Sequence, residues 1–221
     1  MGAHLQREID KLKRQVLSLC TLVEGQVEKA LRAVLDRDDD LAQEVERGDA
    51  EIDQREIEVE EECMKTLALH QPVAIDLRLI IAALKINNDL ERIGDMAVNI
   101  ARKARALAGD PPPDVSCDLA GMWAKTQAML RDSIDALVNM DVLMATSICA
   151  RDDEVDQMKS AIRKEIEEAI RKRPDRAPSL LRLLAVSRNL ERIADLATNI
   201  AEDVIYLVEG RIIRHGAGLL A

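Results

Sequence analysis

The chain has 221 residues, a formal net charge of -10 and 33% charged residues. Apolar residues make up 48% of it, yet it contains one Trp, one Tyr and no Phe. An acidic chain lacks the basic face that neutralises nucleic-acid phosphates. So few aromatic residues also leave no surface on which unpaired bases could stack. The composition therefore argues against nucleic acid as a partner, and it is typical of a protein built from long helices.

Four scattered cysteines, Cys20, Cys63, Cys117 and Cys149, form no C-x-x-C pair. This spacing indicates neither a disulfide framework nor a thiolate zinc site, and we expect free thiols in a reducing cytoplasm. The amino-terminal sequence lacks the apolar core of a signal peptide. The longest apolar run, residues 77–86, contains two basic residues and is too short to span a bilayer. These features predict a soluble, cytoplasmic protein that meets membranes only through partners.

The first half of the chain has the pattern of three helices. Its first 35 residues carry apolar side chains at steps of three and four, the period of one long amphipathic helix. That helix is expected to end near the polar run 36–40, where Asp38 can cap a second helix. The second helix is predicted to reach about Leu69. A third is predicted to run from after Pro72 to about Ala108.

A proline-rich segment separates this half from the next. Three consecutive prolines cannot lie inside a helix, so the sequence predicts a boundary here. The predicted units are residues 1–109 and 118–221, joined by a linker over 110–117. Helices in the second unit are expected from Ala120 to Asn139, from about Asp141 to Arg173, and from Leu180 to Val208.

The second half repeats the first. A shift of 103 residues places 48–54 (GDAEIDQ) on 151–157 (RDDEVDQ). A shift of 100 places 90–101 on 190–201, with identical residues at nine of twelve positions. The change in shift belongs in the loop between the second and third helices, where length changes are tolerated. Two copies of a three-helix unit predict an all-α fold of two tandem three-helix bundles.

Acidic side chains form ladders, at steps of four, on the second and third helices of each repeat. Residues four apart on a helix have Cβ atoms about 5–6 Å apart, so carboxylates at this spacing repel each other. If the two helices are neighbours, their ladders face one groove, whose oxygen atoms suit hard cations such as Mg²⁺, Mn²⁺, Ca²⁺ or iron. The ladder residues are Asp49, Asp53, Glu91, Asp95 and Asn99 in the first repeat, and Asp152, Asp156, Glu191, Asp195 and Asn199 in the second.

Two other interpretations of these acids can be compared with the sequence. The ladders could be solvated faces of a helical scaffold, with Arg92 and Arg192 forming ordinary surface ion pairs. A ferritin-like di-iron oxidase would need Glu-x-x-His motifs, and none of the three histidines has a Glu three residues before it. No Gly-rich phosphate loop or Ser/His/Asp group supports an enzyme of another kind.

The segments DLERIGDMAVNIA (89–101), NLERIADLATNIA (189–201) and DLR (76–78), with the tandem plan, resemble the PhoU family over roughly residues 5–208. The resemblance implies a cytoplasmic accessory protein, not an enzyme, that restrains phosphate uptake and phosphate-starvation signalling. Its implied partners are the ATPase subunit of the phosphate ABC importer and a phosphate-sensing histidine kinase. A homodimer is also implied. A regulator of another transporter is the alternative that the sequence leaves open.

The resemblance further implies multinuclear metal clusters on the acidic ladders, holding iron or zinc, with Mg²⁺ or Mn²⁺ as alternatives. It assigns the four acids of each repeat to one cluster, with Asn99 and Asn199 as further ligands or supporting partners. Two departures from the pattern stand out. Asp152 is followed by Asp153, which leaves the register of the second cluster open. The DLR segment has only LLR, at 180–182, as its counterpart.

Overall fold

The computed structural model describes residues 3–111, 115 and 117–211. Over these residues the chain is all-α, as the sequence predicts, and holds no strand. None of the helices among them combines the length and the apolar character needed to cross a bilayer. The helices are α1 (Ala3–Asp36), α2 (Asp39–His70), α3 (Ala74–Ala108), α4 (Leu119–Asn139), α5 (Val142–Cys149), α6 (Asp152–Lys172) and α7 (Ala177–Glu209), with a 3₁₀ turn at Pro174–Arg176.

Helices α1, α2 and α3 pack on one another as the first bundle. The stripe of α1 is buried at steps of three and four, from Ile9 to Val34. Asp38 caps α2 as predicted, because its Oδ1 accepts a hydrogen bond of 2.9 Å from the backbone N–H of Leu41. The chain turns again after His70, where Gln71 adopts the left-handed conformation. Short turns of this kind bring the three apolar stripes together.

Helices α4, α5, α6 and α7 form the second bundle, in which α7 contacts the other three. One prediction for this region is wrong, because the segment from Asp141 to Arg173 is two helices rather than one. The break falls between Cys149 and Asp152, where the N–H of Arg151 donates to the carbonyl of Ile148. Three acidic residues occupy the first turn of α6, and negative charge there stabilises the start of a new helix.

The two bundles meet along α3 and α7, with a smaller contact between α1 and α4. Most of this seam is apolar, but Asp89 and Asp203 lie within it, each 8% exposed. Lys85 forms an ion pair with Asp203. Burial, reinforced by the charge of Asp203, raises the pKa of Asp89 to about 6. The seam therefore holds a carboxyl group that is costly to ionise.

Arginine side chains also form contacts between the ends of α3 and α7. Arg78 of α3 donates from Nε to the carbonyl of Leu207, near the end of α7, over 3.1 Å. In the second bundle, Arg182 of α7 pairs with Asp110, which follows the end of α3. Residues 112–114 and 116 of the predicted linker lie outside the described residues. The division of the chain at 110–117 stays a prediction.

Candidate metal centre

A close approach of α2 to α3 brings the first acidic ladders together. Gly94 lies in this contact, and a Cβ atom built there would stand 3.0 Å from Cδ1 and 3.2 Å from Cγ2 of Ile52. Oδ1 of Asp49 lies 3.8 Å from the same point. The absence of a side chain at Gly94 therefore lets α2 sit low enough to place Asp49 against α3.

The charges of the first cluster show which of its acids face one another. Burial raises the pKa of Asp49, and the negative charges of Asp53 and Asp95 raise it further, while Arg102 opposes them. Burial also raises the pKa of Glu91, and the negative charges of Asp95 and Asp53 raise it further. The charged forms of Asp49 and Glu91 are thus destabilised by acids on their own helix and on the neighbouring one. Such a group gains from any cation placed among its members.

A fifth acid, Glu56, belongs to this cluster although the sequence analysis missed it. Its charge raises the pKa of Glu91, and its own pKa is raised by burial, Glu60 and Asp53. The buried Asn87 holds it in place, because Nδ2 donates to Oε1 of Glu56 over 3.1 Å and to its carbonyl over 2.9 Å. Glu56 lies three residues after Asp53, so a search at steps of four passes over it.

The second cluster lies between α6 and α7. Burial raises the pKa of Asp195 to about 6, and the charges of Glu191, Asp152 and Asp156 contribute. Burial and Asp156 likewise raise the pKa of Asp152. Asp152 is half-buried whereas Asp153 is exposed. The structure therefore turns Asp152 rather than Asp153 toward the other three acids.

Lys159 supplies this second cluster with an ion-paired ammonium, whereas the residue at the corresponding position of the first cluster is Glu56. Its Nζ lies 2.7 Å from Oε1 of Glu191 and 3.0 Å from Oδ1 of Asp156. The hydrogen bond to Glu191 is the main reason that the pKa of Lys159 is raised. The ammonium bridges α6 and α7 at the place where the ladders meet. The register shift of 103 aligns Lys159 with Glu56, so the sequence contained this signal.

The two asparagines and the two arginines singled out from the sequence differ in their exposure and in their contacts. Asn99 is half-buried and Asn199 is exposed, each one turn beyond the last acid of its ladder. Arg92 does not neutralise the ladder, because its Nη1 lies 3.7 Å from Oδ1 of Asp89, at the seam. Arg192 is exposed and lines an open groove between α6 and α7 beside Glu191.

The chemistry of the donor atoms decides what the clusters can hold. Among the described residues, no three His, Cys, Asp or Glu side chains already surround a point where a metal ion could bind. The fit therefore rests on the donor set, which is carboxylate oxygen throughout and suits hard cations. Within the same residues, no ion pair satisfies Asp49, Asp53, Glu91 or Asp95. In the second cluster, the Lys159 ammonium already occupies carboxylate oxygens that a metal ion would bind.

The fold and the site define a class of all-α proteins that consist of two helical bundles with carboxylate clusters on their surfaces. A family model described as "PhoU domain" matches residues 16–104 and 119–204, one match in each repeat. The chain belongs to the PhoU family, as the sequence resemblance predicted.

Named relatives and solved structures agree with this assignment. The chain is 37% identical over 211 residues to the "phosphate-specific transport system accessory protein PhoU homolog" of Aquifex aeolicus, covering 96% of each chain. The crystal structure of PhoU from Pseudomonas aeruginosa superposes with a TM-score of 0.91 at 36% identity, covering 93% of this chain and 99% of that one. The phosphate transport system regulatory protein PhoU of Streptococcus pneumoniae gives a TM-score of 0.86 at 30% identity, with coverage of 96% and 100%. These names describe accessory and regulatory proteins, in agreement with the prediction that the chain is not an enzyme.

Proposed function

We propose that the chain regulates phosphate uptake and phosphate-starvation signalling in the cytoplasm by binding other proteins. The proposed partners are the ATPase subunit of the phosphate ABC importer and a phosphate-sensing histidine kinase. Membership of the PhoU family supports the link to phosphate transport, since relatives that align over nearly the whole chain carry names from that system. A homodimer is proposed on the resemblance alone, and light scattering coupled to size-exclusion chromatography tests it.

We further propose that the acidic clusters are metal centres, with iron or zinc as the expected metal and Mg²⁺ or Mn²⁺ as alternatives. The first cluster would use Asp49, Asp53, Glu91 and Asp95. The observation that carries this proposal is that Asp49 and Glu91 are partly buried among the other acids, which raise their pKa values, and that no ion pair relieves the four acids in the part of the chain described. The second cluster would use Asp152, Asp156, Glu191 and Asp195. Asn99 would serve the first cluster, and Asn199 the second, as a further ligand or supporting partner.

A bound cation would supply positive charge to faces that are otherwise strongly negative. Without it, the clusters of α2–α3 and α6–α7 repel any acidic surface that approaches them. With it, the same faces can accept a carboxylate or phosphate group of a partner. Partner binding is therefore expected to depend on metal. The alternative, a scaffold whose acids only maintain solubility, predicts binding that is indifferent to metal.

The test combines elemental analysis with pull-downs. The protein is purified without a metal-affinity tag, and binding to the importer ATPase and to the kinase is measured with and without chelator. Asp49→Asn combined with Asp95→Asn should lower both metal content and partner capture. The matched control replaces Glu51 and Glu58 by Gln, since both are exposed on α2 and lie on the side of the helix opposite Asp49. Equal metal content and equal capture in the two double variants would contradict the proposal.

A further inference from the structure

The two repeats place opposite charges at one corresponding position of their acidic clusters. A shift of 103 residues aligns Asp49 with Asp152, Asp53 with Asp156, and Glu56 with Lys159. The last position lies three residues after the second acid, on the same side of the helix. The first cluster therefore contains five carboxylates. The second contains four carboxylates and an ammonium, so these five side chains carry two negative charges fewer than the five of the first. Arg102, whose charge also acts on Asp49, is replaced by Glu202 in the second repeat.

Each of these side chains is held in its cluster by contacts of its own. Lys159 is 28% exposed and makes charge-assisted hydrogen bonds to acids on both helices that line the second cluster. Glu56 is bonded by the amide of Asn87, which is 1% exposed. The counterpart of Asn87 is Ser187, whose hydroxyl donates instead to the carbonyl of Leu184. The device that positions Glu56 is therefore present only in the first repeat.

We propose that Lys159 acts as a built-in counter-ion that weakens metal binding at the second cluster, so that the first cluster is the higher-affinity metal centre. This inference rests on the proposed metal binding. The ammonium occupies oxygens of Asp156 and Glu191 that a metal ion would need, and its charge repels a divalent ion at the remaining acids. Metal can enter the second cluster only when Lys159 gives up both hydrogen bonds. The two repeats then respond to different metal concentrations.

A titration of the full chain with Mn²⁺, followed by the electron paramagnetic resonance of the free ion, tests this inference. Asp95→Asn removes a carboxylate from the first cluster, and Asp195→Asn removes the corresponding one from the second. We expect the tight binding of the unsubstituted chain to be lost in Asp95→Asn and kept in Asp195→Asn. Equal loss in the two variants would show that the clusters are equivalent and would overturn the inference while leaving the metal centres in place.

Charge swaps at the corresponding position give the second half of the test. Lys159→Glu and Lys159→Met should each add a second class of tight sites, which persists when Asp95→Asn is also present. Glu56→Lys should weaken binding at the first cluster. We expect each reversal of charge to change the Mn²⁺ dissociation constant by about tenfold or more, since unit charges about 4 Å apart interact appreciably even in water and the ion carries two.

Controls separate the possible failures. Lys172→Met removes the same charge from the last turn of α6, where Lys172 pairs with Glu168 over 2.8 Å, and it should leave the titration unchanged. Thermal unfolding of each variant establishes that it is folded. Unchanged titrations in both Lys159 variants would overturn the inference. If no variant, including the unsubstituted chain, binds Mn²⁺, the proposed metal centres themselves are refuted.

Discussion

Replacing Gly94 by Ala puts a methyl group into the contact between α2 and α3 beside the first acidic cluster. The new atom would lie 3.0 Å from Cδ1 of Ile52, closer than carbon atoms pack. Ile52 is 1% exposed, so its side chain has no solvent into which to move. In the second repeat the corresponding residues are Ala194 and Val155. One carbon more at the first position accompanies one carbon fewer at the second, so the total side-chain volume of the pair is kept.

The expected change in the free energy of unfolding follows from two known costs and one known gain. Overpacking a core position typically costs 1–3 kcal/mol, roughly, while Ala in place of Gly in a helix interior recovers about 1 kcal/mol. Gly94→Ala should therefore lower the free energy of unfolding by about 0–2 kcal/mol. Ile52→Val alone should cost about 0.5–1.5 kcal/mol, since it leaves a small void. The double variant loses Cδ1, the nearest atom, and should be more stable than the sum of the two single changes by about 1–2 kcal/mol.

Urea denaturation of the four proteins in this cycle, followed by circular dichroism, measures the interaction between the two positions. The same proteins titrated with Mn²⁺ report on the cluster, because Asp49 moves with α2 when that helix is pushed away. The matched control is Gly25→Ala in α1, where a new Cβ atom meets nothing within 4 Å and should only stabilise the helix. Strictly additive effects, or a Gly94→Ala protein as stable as Gly25→Ala, would refute the close-approach argument.

Two further predictions concern stability. Burial and Asp203 raise the pKa of Asp89 from 3.8 to about 6, so the folded chain retains a proton that the unfolded chain has released, and stability is lost as the pH rises from about 4 to 6. Asp89→Asn should remove this loss and stabilise the protein at pH 7 by up to roughly 3 kcal/mol, with little effect near pH 4. Urea denaturation midpoints at both pH values measure the change in stability. An Asp89→Asn variant that is less stable than the unsubstituted chain at pH 7 would contradict the prediction. Asp38→Ala and Asp141→Ala should each cost about 1 kcal/mol, because each carboxylate accepts a hydrogen bond from the first turn of its helix. The exposed Asp40→Ala is the control, and caps whose removal costs no more than this control would show that the hydrogen bonds contribute nothing.

Much of the fold follows from patterns that a sequence displays directly. The buried stripe of α1 recurs at steps of three and four because one face of the helix packs on the other two. Asp38 was predictable as a cap since an Asp before an amphipathic run satisfies free backbone N–H groups. The break between α5 and α6 was not predicted, because no Gly or Pro marks it. It depends on the balance between a continuing helix and a new acidic first turn at Asp152.

The candidate site was predicted in part for a related reason. Steps of four place Asp49 beside Asp53 and Glu91 beside Asp95 on their own helices, and the structure brings the two pairs together. Glu56 was not predicted, because its place in the cluster depends on a contact with the neighbouring helix rather than on spacing along its own. Lys159 was not predicted for the same reason, although a position-by-position comparison of the two repeats reveals both residues.

The repeats differ at the clusters in two ways that have opposite consequences. At the contact between the helices, Gly94 and Ile52 carry four side-chain carbons together, and Ala194 and Val155 also carry four. The change in side-chain volume on one helix is therefore offset by the change on the other. At the charged position Glu56 and Lys159 face acids of the same kind, and Lys159 forms hydrogen bonds to two of them. We therefore expect this position to cause the difference in cation binding, so exchanging these two side chains should exchange the behaviour of the two repeats.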